Sequence, residues 1–489
     1  MIGNNMWSGK ITRSREKAFG LPFVIIAIML LSGVGVGALI PSLMLRLSSA
    51  AGTIEGSIVV FGTAFWGLVI GTLIIAVLII FRQDEVAANA VIAASIVLDW
   101  YLHIGFVALL IALVLLLVFF LGRSSRYPWV QPRALWLWFL FLVLFIFAAI
   151  RGSLSTYETL YYYNYISFGA FIMFWLGTVI ARNVTSARRF FKVLAGFGTL
   201  IAIHAIIQAI TGIFLFWSPL NNNYYASLSN FILIPGLDTQ RIGSFLLNPD
   251  WAGPFFAFVL FIALGLFVES KTLPEKFLYL FEVFLMVVAL LFTYTYGAII
   301  GAGIGVIFLI ALIGRMSYRI LLSVTLSLFA VAVVVFFSYQ LYLLQLRPED
   351  SLIRFGAWQT ALRIIGTFPL TGIGLGLNNY LVRADPYRVP AQYIPLGHPL
   401  NSYLELAANG GLPLLLVFIA LLMLAMWLTL RNWKRADIQT RALLAGCIAA
   451  VISLSIDSLT SNIWTNPPLA TLGWLVLGVT SSPLLLRRE

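Results

Sequence analysis

The chain has 489 residues, 61% of them hydrophobic and only 10% charged, with a formal net charge of +12. Soluble domains carry roughly 25% charged residues, so this balance excludes a water-soluble fold. The positive charge is then read by where it falls along the chain rather than as a nucleic-acid signal.

Apolar runs long enough to cross a hydrocarbon core of about 30 Å recur from Phe19 to Leu486. Lipid cannot satisfy backbone polar groups, so such runs are helices, and the alternation of a membrane barrel is absent. The expected fold is all-α, a single integral membrane domain over 1–489 with about 12–14 spans. In chain order they fall near 19–40, 57–81, 86–102, 104–121, 135–150, 162–181, 193–216, 251–268, 277–292, 296–314, 320–342, 402–430, 442–461 and 467–486. The stretch 86–121 is either one interrupted helix or two, because Asp99 and His103 break its apolar character. The basic stretch Met1 to Lys17 precedes a run too long for a cleaved signal peptide. Cys447, the one cysteine, lies inside an apolar run, which excludes a disulfide within the chain.

Placing the N-terminus in the cytoplasm puts most of the 30 Lys and Arg on that side, as the positive-inside rule expects. Both termini are then cytoplasmic. Two long loops fall outside, at 217–250 and 343–401. Arg241, Arg347, Arg354, Arg363, Arg383 and Arg388 lie in them against the topological rule, and an anionic ligand is the simplest reason.

In the first loop, Asn248-Pro249 is a helix-start signature, which sets a positive helix end beside Arg241. Arg241 then serves an anion site or meets lipid phosphates. In the second loop, Asp350 or Ser351 caps a helix running to Ile365, and Gly366 and Pro369 end it. Its stripe of Leu352, Phe355, Leu362 and Ile365 suits a membrane surface. Arg354 either stacks with Trp358 one turn away or turns inward to a ligand. Gly372-Ile373-Gly374-Leu375-Gly376 lacks the strand and helix of a phosphate loop and reads as a turn for close backbone packing.

Ser402 with Glu405 forms a capping box, so a further helix starts outside, with His398 just beyond its positive end. That position disfavours imidazolium and leaves the ring neutral and able to take a proton near pH 7. His204, inside a span with Gln208 one turn later, reads as a helix-packing hydrogen-bond pair. Three scattered histidines and no acidic cluster give no metal centre, and no cofactor is expected.

The order Arg241 to Asp250, Arg354 to Gly376 and His398 to Pro413 resembles the O-antigen ligase and O-antigen polymerase family of bacterial envelope proteins, over 235–430. Two departures stand out. Leu400 occupies the place of a histidine frequent beside the asparagine, and Thr295-Tyr296 stands where a Ser-Arg pair is frequent. The resemblance implies an inner-membrane enzyme that moves a glycan from a polyprenyl diphosphate carrier to a hydroxyl of lipid A core or of another lipid-linked glycan. It further implies His398 as general base, with Arg241, Arg354 and Asn401 binding substrate. The competing reading is a secondary transporter or flippase of lipid-linked glycans. That class predicts internal repeats and ionisable groups at the bilayer midplane, whereas the polar residues here gather outside.

Overall fold

The computed structural model describes residues 84–96, 107–121, 130, 132–152, 163–211, 233–234, 237–314 and 348–486. The expected spans at 19–40, 57–81 and 320–342, most of the loop at 217–250, and Asp99, His103 and Arg347 lie outside the described residues.

Described helices are α1 (Asp84–Ala94), α2 (Val107–Leu121), α3 (Leu135–Arg151), α4 (Ala170–Ile180, entered by a π turn at Tyr163–Gly169) and α5 (Val184–Thr211). After two short strands, β1 (Leu233–Ile234) and β2 (Leu237–Gln240), come α6 (Pro249–Glu269), α7 (Leu273–Thr293) and α8 (Tyr296–Ile313). They are followed by α9 (Pro348–Thr367), α10 (Leu377–Ala384), α11 (Ser402–Arg435), α12 (Ile438–Asp457) and α13 (Pro467–Ser481). Six are long and apolar enough to cross a membrane, namely α5, α6, α7, α8, α11 and α12. The fold is an all-α polytopic bundle, and the antiparallel pair β1–β2 is its one departure among the described residues. Within the stretch 86–121 the described residues form α1 and α2, and residues 97–106 between them lie outside the described residues.

The centre of the bundle is α6. Phe255, Phe256, Phe258 and Phe261 are all fully buried, so this helix is apolar around its whole circumference. Asn248 caps it, its side chain accepting from the Asp250 N–H at 2.8 Å, and Pro249 opens it. Against α12 the approach is very close: a Cβ at Gly446 would meet the carbonyl of Phe261 and the backbone of Gly265. In lipid, where apolar side chains gain little by leaving their surroundings, such small-residue crossings and van der Waals contact hold helices together.

One boundary differs from the apolar pattern. The helix expected at 193–216 begins at Val184, so Arg188 and Lys192 lie inside α5. They are tolerated because Arg188 meets Glu269 at 2.6 Å and Lys192 meets Glu275 at 2.9 Å, at the end of α6 and the start of α7. These pairs mark one end of the bundle. Asp250 marks the other, about 30 Å away along α6 at 1.5 Å per residue.

At the Asp250 end, α9 and α10 form a cap over a small core of Ala361, Ile364, Ile373, Tyr380, Ala384 and Ala408. The glycine run joins cap to bundle. Gly372 and Gly374 take φ of 61° and 99°, and a Cβ on either would strike backbone of Asn409 or Gly152. The N–H groups of Ile373, Gly374 and Leu375 donate to the carbonyls of Ala408, Asn409 and Ala148 at 2.8, 2.9 and 3.0 Å. With its amides so engaged, the run is a packing turn, as its context in the sequence indicates. Gly411, at φ 80°, breaks α11 into a short leading segment, Ser402 to Gly410, and a long span. The Leu412 N–H leaves the helix to donate to the Pro369 carbonyl at 2.7 Å.

Candidate active site

Three chain segments far apart in sequence meet at the head of α6. Arg241 donates from Nε to the Thr293 carbonyl at 2.7 Å, and its terminal nitrogen contacts Asp250 Oδ1 at 2.5 Å and Thr295 Oγ1 at 3.1 Å. Thr295 in turn donates to the Pro249 carbonyl at 2.7 Å. Arg354, from the second turn of α9, reaches down to Asp250 Oδ2 at 3.4 Å and donates to the Thr460 carbonyl at 2.7 Å. Arg354 therefore turns inward instead of stacking on Trp358, whose ring packs edge-on against Phe355. Asp250 is the shared counter-ion of both guanidiniums. A carboxylate in the first turn is also favoured by the helix dipole.

All three side chains keep some exposure, 14% for Arg241, 24% for Asp250 and 27% for Arg354. The site is thus partly exposed at one end of the bundle. Two arginines against one partly exposed carboxylate leave a net positive locus suited to a bidentate anion.

His398 is half-buried. Its Nδ1 accepts from the Leu400 N–H at 3.3 Å, an arrangement that Leu400 reaches with a positive φ of 54°. Burial, with a smaller contribution from the nearby Arg354 charge, holds the pKa of His398 down at about 4. The ring is neutral at pH 7, and with Nδ1 accepting, its proton sits on Nε2.

The helix start that follows differs from the expected capping box. Asn401, not Ser402, is the N-cap: its Oδ1 accepts from the N–H groups of Tyr403 and Leu404 at 2.9 and 3.0 Å, and its Nδ2 donates to the Leu459 carbonyl at 2.8 Å. Asn outcompetes Ser here because its longer side chain spans to the loop after α12 while still capping. The amide of Asn401 thus caps the helix and ties it to the loop after α12. Ser402 Oγ accepts from the Trp464 N–H at 3.0 Å, and Glu405 accepts from Thr465 Oγ1 at 2.6 Å instead of reaching back to the helix start.

Of the other described arginines in 343–401, Arg383 donates to the Ile373 carbonyl at 3.2 Å and Arg388 pairs with Asp385 at 3.0 Å, while Arg363 stands exposed on α9. None of the three is bonded to Asp250 in this arrangement.

The sequence reading missed the loop after α12. Asp457 is fully buried at the end of α12, and Thr460 donates to its carbonyl at 3.0 Å while offering its own carbonyl to Arg354. Trp251 of α6 donates to Asn462 Oδ1 in the same loop at 2.9 Å. Its one legible signal was a polar run, Asp457 to Asn462, between two apolar spans.

Residues 281–419 match the family model described as O-Antigen ligase. No curated protein matches the chain. The matched stretch runs from the middle of α7 past the break in α11 and includes Arg354, His398 and Asn401, while Arg241 precedes it. It lies wholly inside the 235–430 region whose motif order carries the resemblance. Over this stretch the chain is similar to O-antigen ligases, a likeness that suggests polysaccharide biosynthesis and glycosyl transfer with glycan and lipid-linked substrates in general. This chain is accordingly a multi-pass membrane protein whose residues 281–419 are similar to the O-antigen ligase family.

Proposed function

We propose that this protein transfers a glycan from a polyprenyl diphosphate carrier to a hydroxyl of lipid A core or of another lipid-linked glycan, at the extracytoplasmic face of the bacterial inner membrane. The observation that carries the proposal is the convergence of Arg241 and Arg354 on one point at the head of α6, from segments with α6, α7 and α8 between them. Planar guanidiniums suit paired phosphate oxygens.

In this reading the acceptor hydroxyl oxygen attacks the anomeric carbon as the bond from that carbon to the diphosphate oxygen breaks. The electron pair leaves with the diphosphate, and Arg241 and Arg354 stabilise the growing negative charge. The hydroxyl proton passes to His398. Because the Leu400 N–H occupies Nδ1, the hydroxyl must displace that weak 3.3 Å contact to use the ring as base. A single displacement inverts the anomeric carbon. The guanidiniums fill the charge-stabilising role that a divalent ion plays in many glycosyltransferases, so activity in purified membranes is expected to survive EDTA. Asn401 supports the site by fixing the helix that follows His398.

Deleting the gene and resolving the lipid-linked glycans on a gel tests this reading. Loss of a polymerase leaves single-unit products, and loss of a ligase leaves unattached polymer. An unchanged glycan pattern rules out both, and transport of lipid-linked glycan without transfer, seen as their accumulation on one face, would favour the flippase alternative.

A further inference from the structure

The turn that carries Arg241 is held from behind by two side chains of α5 that take no part in the proposed chemistry. Ser244 is fully buried, and its N–H donates to Gln208 Oε1 at 3.0 Å. Its hydroxyl lies 2.8 Å from His204 Nδ1 and 3.3 Å from the Ile201 carbonyl. The next residue, Phe245, stacks its ring on His204 with centroids 4.4 Å apart. His204 and Gln208 therefore do not simply pair with each other, as their one-turn spacing suggests. Both converge on Ser244.

The turn itself is strained. Ser244 and Leu247 have φ of 48° and 61°, a region that side chains other than glycine occupy only where their surroundings over-determine the backbone. Gly243 has no room for a Cβ against the backbone of Leu247 and Asn248. Arg241 enters this turn and Asn248 leaves it, so its shape sets where the guanidinium stands relative to the head of α6. Polar side chains within a membrane-crossing helix are costly and are kept where they serve a site.

We infer that His204 and Gln208 are positioning residues, which latch Ser244 and thereby hold Arg241 in place for an anionic diphosphate. This rests on the diphosphate reading above, and two measurements separate the latch from that reading.

The first is hydrogen exchange of the 241–250 amides in the full-length protein in lipid nanodiscs. His204→Ala and Ser244→Gly are expected to speed exchange there at least tenfold, while amides at the far end of α6 stay unchanged. Ser244→Gly relieves the positive φ while removing the hydroxyl, so it carries the test if His204→Ala does not fold. Exchange at the wild-type rate in both variants overturns the latch, whether or not the protein binds diphosphate.

The second is binding of undecaprenyl diphosphate to the same nanodiscs. His204→Ala is expected to weaken binding several-fold in the wild-type background and to have no further effect in an Arg241→Ala background, the non-additivity of residues acting through one another. Equal weakening in both backgrounds, or no weakening in either, overturns the inference. If the wild type itself fails to bind the probe, the diphosphate reading falls and the exchange measurement alone decides the latch.

Discussion

Asp250 and Arg354 lie 104 positions apart in the chain and meet at 3.4 Å, with Arg241 closing on the other oxygen of the same carboxylate. The carboxylate holds both arginines together, so its removal has consequences for the fold as well as for binding. Asp250→Asn keeps the shape and removes the charge. Hydrogen bonds to charged groups contribute about 1.5–3 kcal/mol, and partial exposure places this cluster near the lower end. Unfolding followed in nanodiscs is expected to show a loss of about 2 kcal/mol. A variant as stable as wild type would mean that the arginines are held by Thr293, Thr295 and Thr460 alone.

Gly374 sits at φ 99° with no space toward Gly152 and Arg151. Gly374→Ala combines backbone strain with a steric clash against main chain, each worth about 1–3 kcal/mol. Size-exclusion profiles of the detergent-extracted variant are expected to show aggregation or strongly reduced yield. A monodisperse peak at wild-type yield would contradict the tight junction between cap and bundle.

His398 titrates near pH 4 because burial and Arg354 both disfavour its charged form. A base works when deprotonated, so the acid limb of the kcat/KM profile is expected near pH 4–5 and not at the ordinary histidine value of about 6.5. The sign carries over to stability. With its folded pKa depressed, the histidine costs stability progressively as pH falls from about 6.5 toward 4 and nothing above that window. An acid limb at 6.5 that disappears in His398→Ala would mean the ring is solvated in the working enzyme.

The face on which the cap lies is open to a direct test. Ile394, which follows α10 and is 46% exposed, is a suitable probe position. Ile394→Cys in a Cys447→Ala background is expected to react with a membrane-impermeant thiol reagent in intact spheroplasts. Labelling only after lysis would reverse the orientation.

Much of the fold was legible in the sequence because lipid imposes a length and a composition on each span. The start of α5 was not, because Arg188 and Lys192 are accommodated by Glu269 and Glu275 from other helices, a tertiary pairing that no local pattern announces. At the site, Arg241 and Arg354 stood out as positive charges in segments expected outside, and the structure brings them together. Asp250 was visible only as a first-turn residue, since its role depends on an arginine more than a hundred positions away. The capping box was misplaced because Asn401 and Ser402 are both good caps, and only the carbonyl of Leu459 decides between them.

The central claim is that Arg241 and Arg354 stabilise a departing diphosphate. Its most direct test is single-turnover glycan transfer from a polyprenyl diphosphate donor by Arg354→Lys, which keeps the charge but loses the fork. The rate of the chemical step is expected to fall about 10²-fold or more at saturating donor, as removal of a charge-stabilising donor does elsewhere. Transfer at a rate within about threefold of wild type, with Asp250 and the fold intact, would contradict the account.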